Sequence, residues 1–103
     1  MQLAKMKLLT IIAEEILKDR LVKKVQELGA TGASFHRTQG VGARNARHND
    51  MFGENVQMKV VCSAAVAEQI MQYMADNYFA HYAIVAWTSD VEVMRGDEYV
   101  KAV

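Results

Sequence analysis

Met6 to Ala13 reads MKLLTIIA, with Lys7 the only charge. Leu, Ile and Thr at adjacent positions favour extended chain, and apolar residues on both faces predict a central strand covered on both sides. Leu17, Leu21, Val22, Val25 and Leu28 then recur every three or four residues, while Lys18, Asp19, Arg20, Lys23, Lys24, Gln26 and Glu27 fill the other face. This spacing predicts an amphipathic helix, closed by Gly29, where a left-handed residue meets no Cβ clash. Gly32 permits a turn into a second strand over 33–39. From Asn55 to Cys62, Val56, Met58, Val60 and Cys62 alternate with Gln57, Lys59 and Val61, which predicts a third strand with one wholly apolar face. Ser63 is placed to cap a second helix, whose stripe is Ala67, Ile70, Met71, Met74 and Tyr78. A fourth strand covers 83–94, apolar through AIVAW and alternating Asp90 and Glu92 with Val91 and Val93.

The order strand, helix, strand, strand, helix, strand predicts an α+β fold of ferredoxin-like type: a four-stranded antiparallel sheet with both helices on one face. Two helices cover one face only, yet the first and last strands are apolar on both. Other copies of the chain are the simplest cover for the second face.

Composition supports one domain over residues 1–103. Of the 103 residues 51% are hydrophobic and 23% charged, with six Gly and no Pro, which excludes a disordered or linker-rich chain. Twelve basic residues balance twelve acidic ones, so no global field steers the protein to nucleic acid or an anionic membrane. Any anion site is local. Leu8 to Ala13 is far too short to span a bilayer and is followed by Glu14 and Glu15 rather than a cleavage site, so a cytoplasmic protein without membrane insertion is expected. The single cysteine, Cys62, forms no internal disulfide and is expected to be a buried small hydrophobe. His36, His48 and His81 lack ligand-like spacing, so no metal site is expected.

The chemistry concentrates between the second and third strands. Gly40 to Glu54, GVGARNARHNDMFGE, has neither helical nor strand period, and a loop of this length in a small domain is usually functional. No acid occurs from Leu28 to Asn49, whereas Arg37, Arg44 and Arg47 are present with His36 and His48. Gly40 and Gly42 let the backbone approach a ligand, Arg44 and Arg47 offer forked donors suited to phosphate oxygens, and Asn45 adds an amide. Residues 43–54 hold only Met51 and Phe52 as large apolar groups, so the free loop is expected to be mobile and its tip to need a partner.

The element order, together with GATGASFHRTQGVGARNAR, resembles the PII-like signal proteins, in particular the SbtB-like branch associated with bicarbonate transport and carboxysomes. The likeness runs from about residue 5 to 96 and includes LVKK, the GATG turn, the G-x-G-x-R-N-x-R loop and NVQMKVV. It implies a non-enzymatic regulator, a homotrimer of ferredoxin-like protomers, and an adenine nucleotide (AMP, ADP, ATP or cAMP) bound between subunits, with bicarbonate as a further candidate ligand. The implied nucleotide-binding residues are Gly32, Ser34, Gly40, Gly42, Arg44, Asn45, Arg47 and Lys59. Gly40 and Gly42 would line the phosphates, Arg44 and Arg47 neutralise them, Asn45 support the turn, and Ser34, with Gly32 packed beside it, approach the adenine. Lys59 stands where relatives commonly carry an acid, and Val41 replaces a basic residue. No glycine-rich clamp follows the second helix, and RGDEYVKAV lacks the paired cysteines of many relatives, so no redox switch of that kind is expected. The implied partner of the 43–54 loop is a bicarbonate transporter or a carboxysome component.

Two other classes fit parts of the chain. TQGVGAR looks like the acylphosphatase signature, but there the loop joins the first strand to the first helix, and here a strand, a helix and a second strand precede it. RNA-recognition modules share the element order, but they need two or three aromatics on adjacent central strands, and Phe35 and Trp87 are the only strand aromatics. Trp87 reads as a core or intersubunit residue.

Overall fold

The computed structural model describes residues 1–39 and 54–101. Within them the order is β1 (Ala4–Glu14), a 3-10 turn (Glu15–Leu17), α1 (Lys18–Glu27), β2 (Ser34–Thr38), β3 (Asn55–Cys62), α2 (Ala64–Asn77), β4 (Ile84–Val93) and a second 3-10 turn (Gly96–Tyr99). The strands form one antiparallel sheet in the order β2-β3-β1-β4, the ferredoxin-like arrangement expected from the pattern. β1 lies between β3 and β4, so its unbroken apolar run pairs on both edges.

One face of the sheet meets the helices. Leu9, Ile11 and Ala13 of β1 and Met58, Val60 and Cys62 of β3 pack with Leu17, Leu21 and Val25 of the α1 region and Ala67, Ile70 and Met74 of α2, all nearly or wholly buried. Cys62 is inside this core as expected, and burial pushes its thiol pKa up. Ser63 caps α2 by accepting from the Val66 backbone N–H at 3.2 Å. Gly29 ends α1 with φ +125, and a Cβ there would lie 2.9 Å from the Val66 side chain, so both conformation and space require glycine. α1 opens as a 3-10 turn rather than as helix, which puts Leu17 into the core and leaves Ile16 exposed.

Among the described residues no helix lies over the other face. Leu8, Thr10 and Ile12 of β1 share it with Gln57, Lys59 and Val61 of β3, Val85 and Trp87 of β4, and Ser34, His36 and Thr38 of β2, by register and alternation. Trp87 is therefore not in the core of its own chain; it is 45% exposed, and Val85 49%.

Candidate functional site

The open face divides along the strand order. On its β1–β4 side Leu8, Ile12, Val85 and Trp87 make it apolar, whereas on its β2–β3 side Ser34, His36, Thr38, Asn55, Gln57 and Lys59 make it polar. The polar strip arises because β2 is short and at the edge, where alternate residues need not be apolar, and because β3 keeps its apolar residues, Val61 excepted, for the helix side. At its far end the strip runs through Thr38 and Asn55 directly into the 40–53 segment.

Three of the eight expected binding residues lie in the described chain. Ser34 and Lys59 are register partners on β2 and β3, both exposed on the open face, with Thr10 and Trp87 continuing the same row across β1 and β4. A long segment of chain separates Ser34 from Lys59, and the strand register is what places both on one surface. Gly32 lies just before β2, two residues from Ser34; a Cβ built there meets no described atom within 4 Å, and its backbone is not left-handed. Gly40, Gly42, Arg44, Asn45 and Arg47, with the rest of the expected loop except Glu54, lie outside the described residues.

Sequence patterning does not reveal how the base of that segment is held. Arg37, on the helix side of β2 beside buried Val56, bonds Glu15 through Nε at 3.0 Å and a terminal nitrogen at 2.9 Å, and reaches Glu54 at 3.5 Å. The Glu15 N–H donates to the Glu54 carbonyl at 3.1 Å. The Glu54 carboxyl is held above its ordinary pKa chiefly by its hydrogen bond to Glu15. Glu15 is held below its own, first by that same bond and then by the Arg37 charge, against an opposing cost of desolvation. The Arg37 guanidinium between these two carboxyl groups, with the Glu15–Glu54 backbone bond, thus clasps the end of β1 to both strands that flank the loop. Glu14 adds a second tie, accepting from the Ala83 N–H at 2.7 Å and so fixing the entry to β4. The one sequence signal for either is a pair of acids directly after an apolar strand.

The described strand aromatics, Phe35 and Trp87, lie on opposite faces of the sheet. Phe35 lies on the helix side under the Lys18 ammonium, 4.5 Å from its ring centre, while Trp87 is on the open face of an edge strand. No helix among the described residues is long and apolar enough to cross a membrane.

Comparison with known proteins agrees with this architecture. Residues 6–98 match the family model of nitrogen regulatory protein P-II. A protein of Thermus thermophilus described as a PII-like signaling protein is 38% identical, with 97% of this chain and 100% of that one covered at a TM-score of 0.84. CPII of Thiomonas intermedia K12, solved with ADP, AMP and acetate, shares the fold at a TM-score of 0.84 and 16% identity over 96% of this chain and 98% of that one. The same protein, described as a nitrogen regulatory PII-like protein and solved with ADP, AMP and bicarbonate, gives a TM-score of 0.81 at 16% identity, with 95% and 96% covered. With the element order, the register and a match over nearly the whole chain in agreement, the protein belongs to the nitrogen regulatory protein P-II family.

Proposed function

We propose that the protein is a trimeric, non-enzymatic sensor of an adenine nucleotide. The observation that carries this reading is the polar strip of the open face, Ser34, His36 and Thr38 beside Asn55, Gln57 and Lys59, which leads from the β2–β3 pair into a segment whose charges up to Asn49 are all basic. A nucleotide has the matching polarity: a base to lie against Ser34 and Lys59, and phosphates for Gly40, Gly42, Arg44, Asn45 and Arg47. The apolar half of the same face, Leu8, Ile12, Val85 and Trp87, supplies the surface for self-association, so ligand and neighbouring copies meet on one face. Lys59, a cation where relatives commonly carry an acid, favours a ligand with negative charge near that end of the strip. Gly32, with open space beside it, leaves room for a ligand or a neighbouring subunit.

The regulatory step is ordering of the loop. Pairing of phosphates with Arg44 and Arg47 makes the 43–54 segment differ in free energy between free and bound protein, and Met51 and Phe52 are the groups a partner would cover. The SbtB-like pattern G-x-G-x-R-N-x-R points to a cytoplasmic role in bicarbonate uptake or carboxysome function, with the transporter or a carboxysome component as partner. The relative from Thiomonas intermedia was solved with bicarbonate as well as ADP, which makes bicarbonate a co-ligand worth titrating.

Calorimetry with AMP, ADP, ATP and cAMP tests the reading. A charge-assisted bond to phosphate is worth about 1.5–3 kcal/mol, so Arg44→Ala or Arg47→Ala is expected to weaken binding by roughly ten- to a hundredfold. Parent-like affinity in both variants, or no binding of any of the four nucleotides, overturns it.

A further inference from the structure

The helix layer carries a second concentration of charge that the nucleotide reading does not use. Arg20, Lys23, Lys24 and Glu27 stand at i, i+3, i+4 and i+7 on α1, which brings them onto one side of the helix. That side faces Tyr73 of α2 and Tyr78 at its C-terminal cap, and the six residues line an open groove of about 240 Å³. In a chain of zero net charge this groove holds three cations against one carboxylate. Only Lys24 is engaged: its ammonium lies 4.5 Å from the Tyr73 ring centre and 3.4 Å from Glu27. Arg20 and Lys23 make no ion pair with any described residue.

The tyrosines are held rigidly. Tyr73 and Tyr78 meet edge to face at 5.8 Å, and Tyr78 meets Tyr82 the same way at 5.9 Å. Tyr78 is buried, and desolvation first, then the hydrogen bond it donates to Tyr73, pushes its hydroxyl pKa up, which leaves the Tyr73 hydroxyl as the donor at the groove. The fixed Tyr73 hydroxyl, Lys24, and Arg20 and Lys23, which have no ion pair among the described residues, form a donor set for oxyanions and offer little to a cation. The volume lies below the roughly 300–1,000 Å³ of sites that enclose drug-sized ligands, so the occupant is small.

We infer that the groove between α1 and α2 is an oxyanion site for a phosphoryl group, carried either by inorganic phosphate or by a small phosphomonoester. Arg20, Lys23 and Lys24 would surround the anion, and the Tyr73 hydroxyl would donate to it. Glu27 sets its selectivity: a ligand with an outlying ammonium or hydroxyl gains from it, and a bare polyanion is repelled. The groove lies in the helix layer, on the side of the sheet away from Ser34 and Lys59, and does not depend on the nucleotide reading.

The test is a titration of the full chain, nucleotide-free, with inorganic phosphate and separately with glycerol 3-phosphate, at constant ionic strength held with chloride. Amide NMR shifts report the site. Saturable shifts over 20–27 and 73–78 are expected, with about tenfold weaker binding in an Arg20→Gln, Lys23→Gln double variant and somewhat tighter phosphate binding in Glu27→Gln. Saturation by phosphate assigns the site to the free ion, and saturation by the ester alone assigns it to a phosphomonoester; both support the inference. It is overturned by unsaturable shifts with both probes, by saturable shifts confined to the 40–53 segment, or by parent-like affinity in the double variant. Lys24 would then serve only to complement the C-terminal dipole of α1.

Discussion

On the helix side of the sheet Leu9, Ile11, Met58 and Val60 are each 0% exposed, whereas on the opposite side Val85 and Trp87 remain 49% and 45% exposed. Both sets come from strands of similar apolar content, so composition does not separate them. What differs is the cover. α1 and α2 each offer one apolar stripe, and both stripes are spent on the same face. Among the described residues the packing that holds the chain together therefore lies on one side of the sheet, and the other side stays partly exposed.

The largest expected effect follows from that division. Ile11→Ala empties space at the centre of the covered face and is expected to cost about 2–5 kcal/mol in urea unfolding, because packing around a lost Ile side chain relaxes only in part. A cost under about 1 kcal/mol would mean that the helix side is not the structural core. Trp87→Lys acts on the open face and should leave a cooperative unfolding transition in place. It is expected to shift sedimentation from trimer to monomer at micromolar protein. A trimer that survives this change would show that the apolar half of the open face is not the contact between copies.

The same contrast explains what is legible in the sequence. The helices are readable because Leu17, Leu21, Val25 and Ile70, Met74 fall on single stripes, and β3 because Val56, Met58, Val60 and Cys62 alternate cleanly. β1 and β4 read as strands covered on both faces, but the described residues of one chain supply cover for one. Hydrophobicity alone does not assign Trp87 to a side, since either face of AIVAW is apolar. Of the site, Ser34 and Lys59 stand apart in the sequence, and only the pairing of β2 with β3 brings them together. Arg37 reads as one of several cations in an acid-free stretch. Its partner Glu15 lies 22 residues away and Glu54 stands beyond the whole loop, separations at which charge patterning along the chain carries no information. The α1–α2 groove is hidden for the same reason: the basic side of α1 looks like any solvated helix face until Tyr73 and Tyr78 are seen opposite it.

A smaller effect sharpens the role of the cover itself. Ser63→Ala removes the side chain that accepts from the Val66 N–H at the start of α2, and is expected to cost about 1 kcal/mol in urea unfolding. Ser63→Asp, which restores an acceptor and adds a charge suited to a helix N-terminus, should recover most of it. An unchanged midpoint in the alanine variant would show that sheet contacts alone fix where α2 begins.

The smallest effect is at the Arg37 clasp, where the covered side meets the base of the loop. Glu15 has a folded pKa below its ordinary 4.5, so its contribution to stability is present above that value and lost as pH falls through the lowered pKa. Glu54 has a folded pKa above 4.5, so its contribution is present below that value and lost as pH rises through the raised pKa. The two signs oppose, and a protonated Glu54 faces an ionised Glu15 only between the lowered pKa of Glu15 and the raised pKa of Glu54, a mildly acidic window on either side of 4.5. Glu15 is half-buried and Glu54 exposed, so the effect on global stability is slight, and local exchange is the sensitive measure. The Glu15 amide, which donates to the Glu54 carbonyl, is expected to exchange a few-fold more slowly, after correction for intrinsic rates, inside the window than above it. Glu54→Gln supplies a donor that does not titrate and is expected to extend the slow exchange to neutral pH. Because Arg37 points to the helix side while Ser34, His36 and Thr38 face the other way, ligand binding on the open face should leave this pH profile intact. Carboxyl titration curves in which Glu15 and Glu54 both ionise at ordinary values would dissolve the clasp and with it the claim that the loop is anchored from the covered side.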